Sequence, residues 1–280
     1  MRYIIHGATG AQGAPLIKIM FKEGHNAIAA VRDTLAYQNI FCVTADMSCL
    51  SSLITAYEGA DGIFVHLPLG PEEQRFEYAQ NISRAVKIAK PKRVVVSTSG
   101  WDITNPDDKS ALSSLIRNIE KSGTSMAVIA TTLYLENLLL PIVLNTVMAE
   151  NIFQYPLRPD HAASWCSHLD VAYVAAELLT KPHVSGIVWV GQLPAVTPEG
   201  IAKSFSKHFG RNISYKSLKP EEFGQMLVPL IGLDAASEVV KVYESKALQN
   251  ESEINEERSA QKLLGLKPHS VSEWLIAMGI

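Results

Sequence analysis

The sequence predicts a doubly wound α/β protein, a parallel sheet covered by helices on both faces, with a smaller α+β lobe toward the C-terminus. Three observations predict it. Short β-rich runs alternate with stretches of helical spacing through the first half of the chain. A glycine-rich turn follows the first of those runs directly. Several of the runs are apolar at consecutive positions, as in Val94-Val95-Val96, which suits strands buried on both faces.

The expected strands are 3–6, 27–31, 40–44, 62–66, 93–98 and 126–131. Strands separated by helices need crossover connections, which make them parallel. The clearest helix is 72–90, with Phe76, Ala79, Ile82, Val86 and Ala89 on one face and Pro91 ending it. Beyond residue 150 the rhythm changes. Residues 152–157 read as a short strand. Ser167-His168-Leu169-Asp170 resembles a capping box opening a helix that ends near Thr180. Residues 187–190 read as a strand returning to the main sheet. Thr197-Pro198-Glu199 places a cap and then a proline at the first helical position, for a helix ending at Gly210. A strand at 213–218 and three or four helices complete the chain. The expected division is a nucleotide-binding domain at 1–150, rejoined by 166–192, with 151–165 and 193–280 forming the smaller lobe.

Composition narrows the function classes. The 280 residues are 47% hydrophobic and 19% charged, which suits a packed interior. The net charge of −3 argues against nucleic-acid binding and against an anionic-membrane footprint. The longest apolar run, 138–144, contains Pro141 and falls far short of the roughly 20 residues of a membrane span. Met1 to His6 reads as strand rather than signal peptide, because it runs at once into the glycine turn. Cys42, Cys49 and Cys166 have an odd count and wide spacing, which argues for reduced thiols in a cytoplasmic protein and against a disulfide framework or a metal site. His25, His161, His183, His208 and His269 show no metal-ligand spacing, and His6 reads as structural.

The turn Gly7-Ala8-Thr9-Gly10-Ala11-Gln12-Gly13 opens a helix containing Leu16, Ile17 and Met20. Gly7 permits the tight turn, Gly10 admits a pyrophosphate to backbone N–H groups, and Gly13 lets helix pack closely on strand. The helix N-terminus adds unpaired donors and a favourable dipole. Arg32 ends the second strand, nineteen residues past Gly13, where an acidic residue selects NAD and a cation suits the 2′-phosphate of NADP. NADPH is therefore the expected cofactor, with NADH the alternative. Asp33 reads as a cap for the turn that follows, and an ordinary solvated arginine is the other reading of Arg32.

Together with Asp46-Met47, Glu136-Asn137 and Asp170-Val171-Ala172, this turn and Arg32 resemble the NmrA-like family, an atypical branch of the Rossmann-fold short-chain dehydrogenase/reductases. Within it the chain resembles NAD(P)H-dependent quinone, azo-dye and triphenylmethane-dye reductases. The resemblance implies that Thr9, Gly10, Ala11, Gln12 and Gly13 line the pyrophosphate and that Arg32 holds the 2′-phosphate. It further implies that Asp46 and Met47 flank the adenine, that His66, Leu67 and Pro68 border the nicotinamide ribose, and that Ser97, Thr98 and Ser99 sit beneath the nicotinamide. Hydrogen bonding at a strand end is the other reading of Ser97 and Thr98.

The acids of the superfamily are missing. A conventional carbonyl reductase carries Tyr-x-x-x-Lys on the helix after the fifth strand, the tyrosine protonating the alkoxide. The segment from Lys109 to Glu120 contains no tyrosine; the family's frequent lysine falls on Leu112, and the histidine of some dye reductases falls on Ile116. Two functions follow. One is hydride transfer to a quinone, azo or other electron-poor aromatic acceptor, whose reduced form water can protonate. The other is a non-catalytic NADP(H) redox sensor. Tyr134, Trp101 and Ser99 are the expected substrate-positioning residues, although Tyr134 also reads as an edge-of-core tyrosine. Trp165 and His168 are candidates to close the cleft, or packing residues. The expected partners are a small aromatic substrate and, optionally, a second copy of the chain. There is no Gly-x-Ser-x-Gly elbow and no Gly-Lys-Ser/Thr phosphate loop.

Overall fold

The computed structural model describes residues 1–34 and 41–280. Ile40 of the expected third strand, and the turn expected beyond Thr34, lie outside the described residues. In chain order the elements begin β1 (Arg2–His6), α1 (Gly13–Lys22), β2 (Asn26–Val31), β3 (Cys42–Thr44), α2 (Leu50–Tyr57), β4 (Gly62–Val65) and α3 (Glu72–Ala89). They continue β5 (Arg93–Ser97), α4 (Ala111–Lys121), β6 (Ser125–Thr131), β7 (Leu133–Tyr134), α5 (Pro141–Glu150), β8 (Ile152–Tyr155), β9 (Ala162–Ala163), β10 (Trp165–Cys166) and α6 (His168–Thr180). The chain closes with β11 (Gly186–Val190), α7 (Pro198–Phe209), β12 (Ser214–Ser217), α8 (Pro220–Ile231), α9 (Leu233–Leu248), β13 (Glu251–Ser252), α10 (Ala260–Leu264) and α11 (Val271–Ala277).

Two compact units share the chain. The first comprises 1–131, 168–190 and 256–266, and the second 132–167, 191–255 and 267–280. The division falls after Thr131, not at residue 150, because Leu133 and Tyr134 pair with Trp165 and Cys166 within the second unit. Residues 256–266 belong to the first unit. Arg258 fastens them there, donating from Nε to Ile187 O (3.0 Å) and from Nη2 to Ser185 O (2.6 Å).

The first unit is a seven-stranded parallel sheet in the order β11-β6-β5-β4-β1-β2-β3. The strand order reverses between β1 and β4, which opens a crevice at their carboxyl ends. Alternation along each strand feeds both faces. Ile4, Ile63, Val65, Val94 and Val96 pack with Leu53, Ala79, Ile82, Leu115 and Ile119 of α2, α3 and α4. On the other face α1 and α6 pack together, burying Leu16, Ile17, Met20, Val171 and Leu178. Along α3 the expected stripe is realised: Ala79, Ile82 and Val86 are fully buried, Phe76 and Ala89 partly so. Lys90 ends the helix in the left-handed region, one residue before Pro91.

Arg93, the first residue of β5, is buried without a carboxylate partner among the described residues. Its guanidinium donates to Leu178 O (2.5 Å), Ser125 Oγ (2.8 Å), Pro182 O (3.2 Å) and Val184 O. A cation beneath the last carbonyls of α6 is favourable for the helix dipole as well. One side chain thus fastens the end of α6 to the sheet.

The second unit carries three two-stranded parallel pairs, β7-β10, β8-β12 and β9-β13. Its core gathers Phe153, Tyr155, Trp165, Phe205, Phe223 and Trp274. Thr197 caps α7 as expected, its side chain accepting from Gly200 N at 3.2 Å, and Gly210 ends it in the left-handed region. The Ser167 hydroxyl, expected to cap α6, donates to Glu136 Oε1 at 2.5 Å. No helix among the described residues is long and apolar enough to cross a membrane.

Candidate functional site

The crevice between β1 and β4 opens into a cleft of about 580 Å³ within the first unit. Its floor is the glycine turn. Gly7 takes φ +62°, and Gly10 N donates to Gly7 O at 2.8 Å, closing the turn. A Cβ on Gly13 would stand 2.3 Å from Gly7 O and 2.5 Å from Gly7 C, so α1 packs against the turn with no room for a side chain. A Cβ on Gly7 would fall 2.2 Å from His66 Nε2, which places the His66 ring against the turn. Gly10 is the least confined of the three, with 3.3 Å to Gly7 O.

Of the residues singled out in the sequence, Gly7, Thr9, Arg32, Asp46, Met47, His66 and Pro68 line this cleft. Thr9, Gly10 and Ala11 are exposed, as donors for an incoming anion must be. The others lie deeper or elsewhere. Gln12 is buried and donates to Ser99 Oγ at 3.4 Å, linking the turn to the loop after β5. Leu67 is packed in the core, leaving its backbone as the part available to a ligand. Ser97 and Thr98 are buried at the end of β5. The Ser97 Oγ accepts from Ser99 N at 3.3 Å, the strand-end bonding foreseen for it, while Thr98 Oγ1 is buried without a partner among the described residues. Ser99 itself takes φ +54°, a conformation few non-glycine residues adopt. Trp101 is 37% exposed, with the Arg75 guanidinium 4.7 Å above its ring. Arg75 is in turn paired with Glu72 at 2.6 Å, and the other oxygen of Glu72 accepts from Ala111 N, tying this group to the start of α4.

Arg32 is exposed at the end of β2 and makes no ion pair with the described residues. Asp46 uses Oδ1 to accept from Ser48 N (2.9 Å) and Ser48 Oγ (2.8 Å). The carbonyl of Met47 accepts from Asn81 Nδ2 of α3 at 3.0 Å. Leu69, Gln74 and Tyr78 also line the cleft and escaped the sequence reading. Gln74 and Tyr78 stand four residues apart at the start of α3, a spacing that puts them on one face. No sequence motif marks that face as turned toward the cleft.

On α4 the positions of the missing acids are core positions. Leu112 is buried and Ile116 partly so, both against the α2–α4 side of the sheet, and Lys109 precedes the helix. In the second unit Tyr134 is 9% exposed on β7, opposite Cys166, and Trp165 is fully buried in the core. Glu136 binds its unit together, with Oε1 accepting from Ser167 Oγ and from Trp274 Nε1 (3.3 Å). Among the described residues no three His, Cys, Asp or Glu side chains converge on a metal position.

His6 is structural, as its place on a buried strand suggested. It is 2% exposed, and Nε2 lies 2.8 Å from Tyr57 Oγ-type hydroxyl oxygen. Burial, and secondarily the neighbouring His66, holds its pKa down at about 3. The unfolded chain titrates near 6.5, so between those values it takes up a proton that the native state refuses. The expected result is stability that rises with pH across this window and is lost as pH falls, by about 1.4 kcal/mol per pH unit for this one group. Urea midpoints at pH 5 and pH 7 check it. A His6→Gln protein should show a slope smaller by one proton, and an identical slope would contradict the assignment.

A parallel doubly wound sheet with a glycine turn at its switch point and a cation at the end of β2 defines the dinucleotide-binding class of α/β protein. The NmrA-like family profile matches residues 2–275, and the chain belongs to that family. Among solved structures, the Citrobacter sp. triphenylmethane reductase complexed with NADP(H) is 18% identical, with TM-score 0.81 over 98% of this chain and 99% of that one. The Escherichia coli NADPH-dependent quinone oxidoreductase QOR2, complexed with NADPH, is 20% identical, with TM-score 0.74 over 99% and 100%. The negative transcriptional regulator NmrA is 14% identical, with TM-score 0.62 over 88% and 94%. These likenesses establish the fold. No curated protein sequence matches the chain.

Proposed function

We propose that the protein binds NADPH in the cleft and reduces a quinone, azo compound or other electron-poor aromatic acceptor. The observation that carries the cofactor is the juxtaposition of a side-chain-free turn with Arg32 in one cleft. The residues fit the group: exposed N–H groups at Thr9 to Ala11 suit a pyrophosphate, and a guanidinium suits a 2′-phosphate bidentately. NADPH, when bound, supplies the hydride. The protein's share is positioning, because α4 offers no tyrosine, and apolar residues stand at both alternative acid positions. An acceptor whose reduced form is stabilised and protonated by water suits such a site. Ser97, Thr98 and Ser99 are proposed beneath the nicotinamide, and Ser99, Trp101 and Tyr134 as residues that hold the flat acceptor.

The same missing acids favour a second reading, in which the chain binds NADP(H) and reports redox state without turnover; the NmrA likeness is compatible with it. Pure protein, NADPH and a panel of quinones and azo dyes separate the two. Acceptor-dependent loss of the nicotinamide absorbance supports the reductase, and binding without oxidation across the panel supports the sensor. If the reductase reading holds, Tyr134→Phe should retain turnover and Tyr134→Ala should lose it mainly through KM. A collapse of kcat in the Phe protein at unchanged KM would make the Tyr134 hydroxyl a relocated acid.

A further inference from the structure

We propose that Tyr78 and Met47 form the two walls of an adenine slot, and that Asp46 at its edge selects an aminopurine. The proposal rests on the dinucleotide reading above and assigns a residue which that reading lacks. Tyr78 lies on α3, three residues before Asn81, and so on the same side of the helix. Asn81 Nδ2 grips the Met47 carbonyl at 3.0 Å, which brings that side of α3 against the segment after β3. Tyr78 and Met47 both line the cleft, and both pack partly buried against the same core cluster. The Tyr78 hydroxyl has no hydrogen-bond partner among the described residues, so burial of a polar contact does not explain its presence there. Arg32 lies at the end of β2 and Asp46 just after the adjacent β3. A ribose phosphate held by Arg32 therefore leaves its base to the neighbouring corner, between the thioether and the ring.

Asp46 has one acceptor left for that base. Oδ1 is occupied by the Ser48 N–H and hydroxyl, whereas Oδ2 takes no hydrogen bond from the described residues. A carboxylate oxygen accepts from the exocyclic amino group of adenine. It repels the carbonyl oxygen that replaces that group in hypoxanthine, and the slot thereby distinguishes the two bases.

Calorimetric titration tests this with 2′,5′-ADP, NADPH and the hypoxanthine analogue of NADPH. For the wild type, 2′,5′-ADP and NADPH should bind, with the hypoxanthine analogue about tenfold weaker or worse. Tyr78→Ala should weaken 2′,5′-ADP by about tenfold, the size of one base–aromatic stack, while Tyr78→Phe keeps the affinity within about twofold. Wild-type binding of NADPH with 2′,5′-ADP affinity unchanged in a folded Tyr78→Ala protein overturns the slot and leaves the dinucleotide reading standing. Failure of the wild type to bind NADPH overturns both. If Tyr78→Ala does not fold, Tyr78→Leu fills the space without a π face, and it should show the same loss. The comparison of the two bases needs no variant, and equal affinities would overturn the role of Asp46.

Discussion

A Gly13→Ala protein is expected to lose binding of either nicotinamide cofactor and to fold less stably. The added Cβ would lie 2.3 Å from Gly7 O, 2.5 Å from Gly7 C and 2.8 Å from Ala8 N. All three are backbone atoms, so no side chain can rotate aside, and α1 must move away from β1. Leu16, Ile17 and Met20 are buried on that helix, and displacing them costs about 1–3 kcal/mol of overpacking strain. The displacement also removes the α1 N-terminus from the anion position. Gly10→Val is the complementary variant, because its Cβ meets only Gly7 O at 3.3 Å and the fold should tolerate it. It should still block backbone approach to a pyrophosphate. Thermal melting and cofactor titration on both proteins check this. Full affinity in a folded Gly10→Val protein would reduce the turn to a structural element.

Arg32→Ala is expected to weaken NADPH by roughly 10- to 100-fold, the loss of about 1.5–3 kcal/mol for a hydrogen bond to a charged group. NADH should be nearly untouched. The guanidinium is exposed at the cleft and unpaired with described residues, so its removal strands no buried partner and should spare the fold. Equal losses for the two cofactors would refute a 2′-phosphate role. The adjacent Asp33 also lines the cleft, and repulsion between its carboxylate and a phosphate limits the gain from Arg32.

The fold was legible because its signals are local. The 3.6-residue stripe on α3, the cap and proline at Thr197-Pro198, and the apolar runs of β4 to β6 each depend only on near neighbours in the chain. The glycine turn was legible for the same reason, since its three jobs are performed within seven residues. The shorter pairings were not legible: β7 with β10, and β9 with β13, are two residues long and join segments far apart in sequence. Their place is set by the aromatic core around Phe153, Tyr155 and Trp165, which no periodicity announces. That is also why the boundary expected at residue 150 lies at 131.

The site divides along the same line. By itself the sequence determined the parallel doubly wound sheet, the anion-binding turn, the cation at Arg32 and the absence of an acid on α4, because each follows from residue type and spacing. Only the tertiary structure decided that Gly13 rather than Gly10 is the most confined glycine, that His66 rests on Gly7, and that Gln12 reaches Ser99. It also decided that Gln74 and Tyr78 complete the wall opposite Met47. Those relations join residues whose separation in the chain spans whole strands and helices. They are fixed by the packing of α3 and α1 against the sheet, a property of many side chains at once that no single segment encodes.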